Sequence, residues 1–216
     1  MWRDAILKKN VACGESLTKQ KTKMGNGEST EKPPMCAWRC EICGEVTLAR
    51  EHPSECPFCG SGGSHVISLH IVVKSRAGSL TDADRGNLAE SLRGERTDVY
   101  QYAAMSKNAP DAALAAMFDR VSKMEREHAK VFARLLGIFI EDVATPAVMT
   151  GDPKEIEGEF WAQVGEAIKG ERAAMCRYAE YAGQTADEHL RMIWRALAKV
   201  EGGHLELFTD LMAGIQ

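Results

Sequence analysis

The sequence predicts a mainly α protein, a four-helix bundle preceded by a small metal-knuckle module with short β-strands. Three observations lead there. Residues 79–136 and 155–213 are rich in Ala, Leu, Met, Glu and Arg and carry apolar side chains at the three-and-four spacing of amphipathic helices. The two stretches repeat each other at a shift of 76 residues. Ahead of them, residues 36–75 hold four cysteines in two pairs among Gly and Pro clusters, followed by a β-branched run from Val66 to Val73.

The whole-chain numbers narrow the class. Of the 216 residues, 44% are hydrophobic and the formal net charge is −4, which excludes disorder throughout and argues against a nucleic-acid binder. No apolar run reaches the roughly 18 residues of a membrane span. Met1 to Asn10 alternates charged and apolar side chains and so lacks a secretory apolar core. A cytoplasmic location is therefore expected, where seven cysteines are metal ligands or free thiols and not a disulfide framework.

Taken in order, residues 1–35 form a polar arm with seven Lys or Arg against four Asp or Glu and no sustained periodicity. It reads as a disordered extension, with a targeting or partner-binding arm as the alternative. Residues 36–75 are the cysteine module. Residues 79–216 form the bundle, two helices to each half. Pro110-Asp111 breaks the first half, with Asp111 placed as a helix cap, and Thr185 to Asp187 does the same in the second. A connector with Thr145, Pro146, Gly151, Asp152 and Pro153 separates the halves. Its span from Gly137 to Lys154 is long enough to cross the bundle, so the halves are expected to run antiparallel.

The seams carry the chemistry. They run Leu88, Leu92, Glu95, Val99, Tyr102; then Leu114, Phe118, Val121, Glu125, His128, Phe132, Leu135; then Val164, Ile168, Glu171, Met175, Tyr178, Ala182; then Leu190, Trp194, Leu197, Glu201, His204, Phe208, Leu211. Four glutamates and two histidines thus occupy positions where apolar residues belong. A buried ionised carboxylate is costly unless it is paired or metal-bound. Glu125 with His128, and Glu201 with His204, sit three apart on one helix face. Two such pairs plus Glu95 and Glu171 make the ligand set of a carboxylate-bridged dimetal site, with open positions for an oxygen-derived ligand. Any one Glu-x-x-His pair alone reads as a solvated helix face; the repeat of all six residues does not.

Tyr102 and Tyr178 follow Glu95 and Glu171 by seven residues, about 10.5 Å along the seam. They are read as hydrogen-bond donors to a metal ligand or as a radical relay, against the alternative of core tyrosines. Cys40-Glu-Ile-Cys43-Gly and Cys56-Pro-Phe-Cys59-Gly are two knuckles whose four thiolates suit zinc or iron. Zinc makes a structural knob and a single iron makes a one-electron carrier. Cys13, Cys36 and Cys176 are expected to be free thiols.

These residues resemble the rubrerythrin family, in which a rubredoxin-like iron module is joined to a ferritin-like diiron bundle. The resemblance covers residues 36–213. It rests on Trp38-Arg39-Cys40, the twelve-residue gap and Cys56-Pro-x-Cys59, and on Gly94-Glu95, Glu125-Arg-Glu-His128-Ala-Lys, Gly170-Glu171 and Glu201-x-x-His204. Tyr102 also matches a family tyrosine, and the knuckles stand before the bundle as in "reverse" rubrerythrins. The resemblance implies two non-haem irons in the bundle, iron in preference to zinc at Cys40, Cys43, Cys56 and Cys59, and reduction of hydrogen peroxide to water. It also implies an electron-donor protein and a homodimer, and no nucleic-acid or membrane partner is expected. One departure stands out. Typical members carry an extra glutamate one turn after the third-helix ligand, where this chain has Ala174; the symmetry-related position on the first helix is Asp98. Asp98 is expected beside the ligand sphere, reaching metal through water, against the alternatives of a solvated aspartate or a partner of Arg172. A ferroxidase using oxygen is the competing enzyme reading, and a non-catalytic zinc-knuckle adaptor the weaker one.

Overall fold

The computed structural model describes residues 35–138 and 156–214. The N-terminal arm and the proline-containing connector lie outside the described residues, apart from Met35 and the ends at Gly137 and Ile138. The chain divides into two compact units, residues 1–75 and 76–216. The architecture is mainly α with a small sheet at its N-terminal end, the fold class the sequence predicts.

The first unit is a three-stranded antiparallel sheet of β1 (Met35–Cys40), β2 (Val46–Ala49) and β3 (Val66–Val73), in the order β2-β1-β3. The β-branched run becomes β3, where such side chains suit a half-buried pleat. The register steps between Cys36↔Val72 and Trp38↔Ser68, a bulge that places His70 at φ 56°. Trp38 fills the small core with Cys36, Cys40, Cys56 and Val66. Its indole N–H donates to Ala49 O at 3.2 Å, and the His52 ring meets it edge-on at 5.0 Å. Cys36, expected as a free thiol, is instead disulfide-bonded. Its spacing from the knuckles carried no sign of that bond. Cys176 is free and exposed.

The second unit is the bundle: α1 (Asp82–Asn108), α2 (Ala112–Leu136), α3 (Ile156–Gln184) and α4 (Glu188–Ala213). Side chains cap three of the helices. The Thr81 hydroxyl accepts from Asp84 N, Asp111 accepts from Ala113 N and Leu114 N, and Asp187 accepts from His189 N and Leu190 N. Gly137 ends α2 at φ 72°, the left-handed turn that glycine adopts without a Cβ clash. Arg76 docks the entering chain. Its amide donates to Leu135 O at the end of α2, and its guanidinium pairs with Asp187 at the start of α4.

The halves run antiparallel, and their contacts repeat under the 76-residue shift. Tyr102 of α1 reaches Glu171 of α3, and Tyr178 of α3 reaches Glu95 of α1. The aromatic contacts obey the same rule. Tyr102 packs on Phe118 and Phe208 at 6.0 and 5.4 Å, and Tyr178 packs on Trp194 and Phe132 at 5.3 and 5.7 Å. A pseudo-twofold axis therefore passes through the middle of the bundle, where the seam glutamates meet.

Candidate metal centres

The six seam residues converge in two overlapping groups. Glu95, Glu125, His128 and Glu201 offer one ligand atom each within 4.8 Å of one another, and so do Glu125, Glu171, Glu201 and His204. All six residues are buried. Glu125 and Glu201 belong to both groups, whereas Glu95 and Glu171 each belong to one. Two cations placed here would share Glu125 and Glu201, and each would have one further carboxylate and one imidazole of its own.

The imidazoles present Nδ1 to the carboxylates. His128 Nδ1 lies 2.9 Å from Glu125, 3.2 Å from Glu201 and 3.4 Å from Glu95. His204 Nδ1 lies 2.9 Å from Glu125, 3.3 Å from Glu201 and 3.8 Å from Glu171. A residue three positions after a seam glutamate can do this only on a helix, where both side chains lean over the same turn.

Electrostatics test whether cations fit. Two like charges about 4 Å apart repel by about 4 kcal/mol at an effective dielectric constant near 20, so four neighbouring carboxylates cannot all stay ionised alone. Burial pushes the Glu125 and Glu171 carboxyls above the usual carboxylate range. Burial pulls the His128 and His204 imidazoles down, but the facing carboxylates more than offset it and leave both well above the ordinary value. Without metal, protons have to neutralise the cluster. Each Nδ1 faces three carboxylates but has at most one proton to give, Glu125 Oε1 lying 2.9 Å from His204 Nδ1 and Glu201 Oε1 3.2 Å from His128 Nδ1, so the oxygens outnumber the available protons unless another group binds there. Four carboxylates balance two divalent cations with both imidazoles neutral, so the donor set fits a pair of metal ions.

The tyrosines lock the outer glutamates crosswise. The Tyr102 hydroxyl donates to Glu171 Oε1, and the Tyr178 hydroxyl donates to Glu95 Oε1. Each phenol therefore serves the glutamate of the opposite half. Burial and the neighbouring carboxylates, Glu171 for Tyr102 and Glu95 for Tyr178, hold both hydroxyls well above their ordinary pKa and keep them as donors.

Asp98 is outside both ligand groups. It is half-buried, and burial followed by the charges of Glu95, Glu171 and Glu201 pushes its carboxyl up to about 8, with Arg177 opposing. Arg177 is the cation among the main charges acting on it. Ala174, its pseudo-symmetric counterpart, is buried.

In the first unit the four knuckle sulfurs cluster within 4.8 Å. Cys40 Sγ lies 3.7 Å from Cys59 Sγ, and Cys43 Sγ lies 3.7 Å from Cys56 Sγ. A thiolate tetrahedron with metal–sulfur bonds of about 2.3 Å has edges of about 3.8 Å, so the sulfurs already stand at ligand spacing. Each knuckle closes in the same way. Gly44 N donates to Cys40 O and Gly60 N to Cys56 O, both at 3.0 Å, with φ of 80° and 72° that favour glycine. Burial pushes the Cys40 thiol up, but hydrogen bonds from the Ser61 hydroxyl and the amides of Cys43 and Ile42 outweigh it and bring the thiol to about 6. The Ser61 hydroxyl lies 3.2 Å from Cys40 Sγ and 3.3 Å from Cys59 Sγ. No sequence motif marks this serine; its position two residues after Cys59 was the only available signal.

Comparison with known proteins agrees with this geometry. The rubrerythrin family model matches residues 86–156. Reverse rubrerythrin-1 of Clostridium acetobutylicum is 30% identical over 139 residues, a match covering 56% of this chain and 74% of that protein.

Proposed function

The chain belongs to the rubrerythrin family of iron-binding oxidoreductases, and from that premise we propose that it reduces hydrogen peroxide to water at a diiron centre in the bundle, with electrons entering through iron at Cys40, Cys43, Cys56 and Cys59. The observation that carries this reading is the pair of buried ligand groups sharing Glu125 and Glu201. A dimetal site built from carboxylates with one imidazole per metal leaves room for a small oxygen species.

When bound, the two irons supply one electron each to break the O–O bond. The protein's part is to position and to insulate. Glu125 and Glu201 would serve both ions, and His128 and His204 would each serve one. Tyr102 and Tyr178 orient Glu171 and Glu95 by holding one oxygen of each carboxylate. Phe118 and Phe208 on one side, and Phe132 and Trp194 on the other, shield the phenols from water. Four thiolates at ligand spacing suit a one-electron carrier, and the reading includes a donor protein that feeds it, a cytoplasmic setting and a homodimer. Among the described residues no helix is long and apolar enough to cross a membrane.

Ala174 favours a second reading, a ferroxidase that uses oxygen, because six ligands without a further glutamate suit simple iron oxidation. Rapid mixing of the fully reduced protein with peroxide, and separately with oxygen, decides between them. Peroxide is expected to oxidise the bundle iron faster; faster oxidation by oxygen would overturn the peroxidase reading. Zinc bound at the four cysteines of the protein as isolated would remove electron entry through them.

A further inference from the structure

The pseudo-twofold axis makes the two tyrosine pockets near-copies, and the places where the copy fails are informative. Tyr178 packs on Trp194 with ring centroids 5.3 Å apart, and Trp194 packs on Tyr181 at 5.2 Å. The Tyr181 hydroxyl donates to Glu90 Oε2 at 3.1 Å. Glu90 faces solvent with half its side chain exposed, and Arg177 approaches its other oxygen at 3.4 Å. Under the 76-residue shift these positions become Tyr102, Phe118, Met105 and Glu166. There the aromatic contacts run from Tyr102 through Phe118 and Phe160 before reaching Trp161, and Glu166 pairs with Lys169.

Tyrosine and tryptophan lose one electron readily, whereas a phenyl ring does not. Only one half of the bundle therefore joins a metal-ligand carboxylate to the surface through a row of oxidisable rings in contact. We infer that Tyr178, Trp194 and Tyr181 form a one-electron relay between the Glu95 side of the bundle centre and the solvent edge at Glu90. The relay rests on the reading of the bundle as a redox metal site, and it discharges an oxidising equivalent left there when the cysteine site supplies no electron.

Hydrogen peroxide takes two electrons and two protons to become two waters; a bundle centre with one iron already oxidised supplies one electron and lacks the second. Tyr181 gives up one electron, which reaches the centre through Trp194 and Tyr178, and its phenolic proton passes from Oη to the Glu90 carboxylate. A neutral tyrosyl radical remains on Tyr181, which is 8% exposed and lies beneath the solvent edge at Glu90. A soluble one-electron donor of the thiolate or ascorbate class reduces it, and Glu90 returns the proton. Burial, with Glu90 beside it, raises the Tyr181 pKa, so the phenol has that proton to give. At rest the Tyr178 hydroxyl donates to Glu95, which can accept its proton during transit and return it.

Trp194→Phe installs the residue that the other half already carries at Phe118, and Tyr181→Phe removes only a hydroxyl bonded to an exposed carboxylate, so both variants are expected to fold. The test freezes the iron-loaded full chain, reduced to one electron per bundle centre and with its cysteine site oxidised, shortly after mixing with hydrogen peroxide, and records its electron paramagnetic resonance. Absorbance of the oxidised bundle iron is read in the same samples. The expected result is a tyrosyl signal that narrows with ring-deuterated tyrosine, is lost in Tyr181→Phe, and stays confined to Tyr178 in Trp194→Phe. Oxidised iron with no tyrosyl signal, or with a signal unchanged in Tyr181→Phe, would overturn the relay. Iron that peroxide fails to oxidise would instead sink the peroxidase reading. A second arm then decides the relay by itself: an external ruthenium photo-oxidant acts on the full chain, and oxidation at Trp194 is quantified by peptide mass spectrometry. Trp194 is only 1% exposed, so its oxidation is expected to be lost in Tyr181→Phe, and undiminished oxidation would overturn the relay.

Discussion

Glu125 and Glu201 each stand in two ligand groups, and Glu95 and Glu171 in one. The difference predicts unequal consequences for substitutions that look alike. Glu125→Gln or Glu201→Gln removes a shared ligand and is expected to empty both metal positions of the bundle. Glu95→Gln or Glu171→Gln is expected to empty one. Metal analysis of the purified variants, counted against the four-cysteine site as an internal standard, checks this. At the same scale, Asp98 reports the field of the cluster. Its carboxyl, raised from 3.8 to about 8, stays protonated in the folded metal-free chain through a pH window in which the unfolded chain has lost that proton. Stability contributed by Asp98 is therefore full below pH 3.8 and falls as pH rises through the window. Asp98→Asn is expected to flatten that slope, so the variant unfolds at a higher temperature than the parent near the alkaline end and matches it at the acid end. Loading divalent metal should shrink the difference without abolishing it, because cations neutralise Glu95, Glu171 and Glu201 while burial, the larger cause, remains. Thermal unfolding across pH, with and without metal, reads both effects.

Element boundaries follow from local chemistry. Asp111 and Asp187 were legible as caps because a short polar acceptor after a break satisfies the amides of the next helical turn. The β-branched run of Val66–Val73 was legible as a strand for similarly local reasons. Asp187 does more than a cap, since it also pairs with Arg76, whose amide bonds the last turn of α2. Losing an aspartate cap costs about 1 kcal/mol, up to about 2. Asp187→Ala is expected to cost more than Asp111→Ala, which loses only its cap. Urea unfolding of the two variants ranks them, and equal losses would show that the Arg76 pair contributes nothing. The bulge opposite Ala37 was not legible, because it depends on how β3 pairs with β1 and not on either strand alone.

Across the whole molecule, the bundle gathers four carboxylates that are far apart in the chain into one buried cluster. Metal that binds the folded bundle and not the unfolded chain must stabilise it, by about 2.7 kcal/mol at a free concentration 100-fold above the dissociation constant. Chelation is expected to lower the unfolding temperature of the bundle, and adding ferrous iron back to raise it with the logarithm of its concentration. Differential scanning calorimetry measures the shift, and a bundle transition indifferent to chelation would count against buried metal.

The sequence by itself determined the helical periods, the 76-residue repeat, the two knuckles and the six seam ligands. All of these are local spacings, and local geometry converts spacing into facing directions: three residues on a helix put Glu125 beside His128, and a Cys-x-x-Cys-Gly turn puts two sulfurs together. Tertiary structure alone decided which carboxylates are shared, that each tyrosine serves the glutamate of the other half, that Arg177 acts on Asp98, and that one pocket continues through Trp194 to Tyr181 while its copy is interrupted by the phenyl rings of Phe118 and Phe160. Those contacts join residues 13 to 83 positions apart, and they depend on how antiparallel helices are docked. A repeat in the chain carries the symmetry of the two halves, but only their packing across the axis decides which member of one half meets which member of the other.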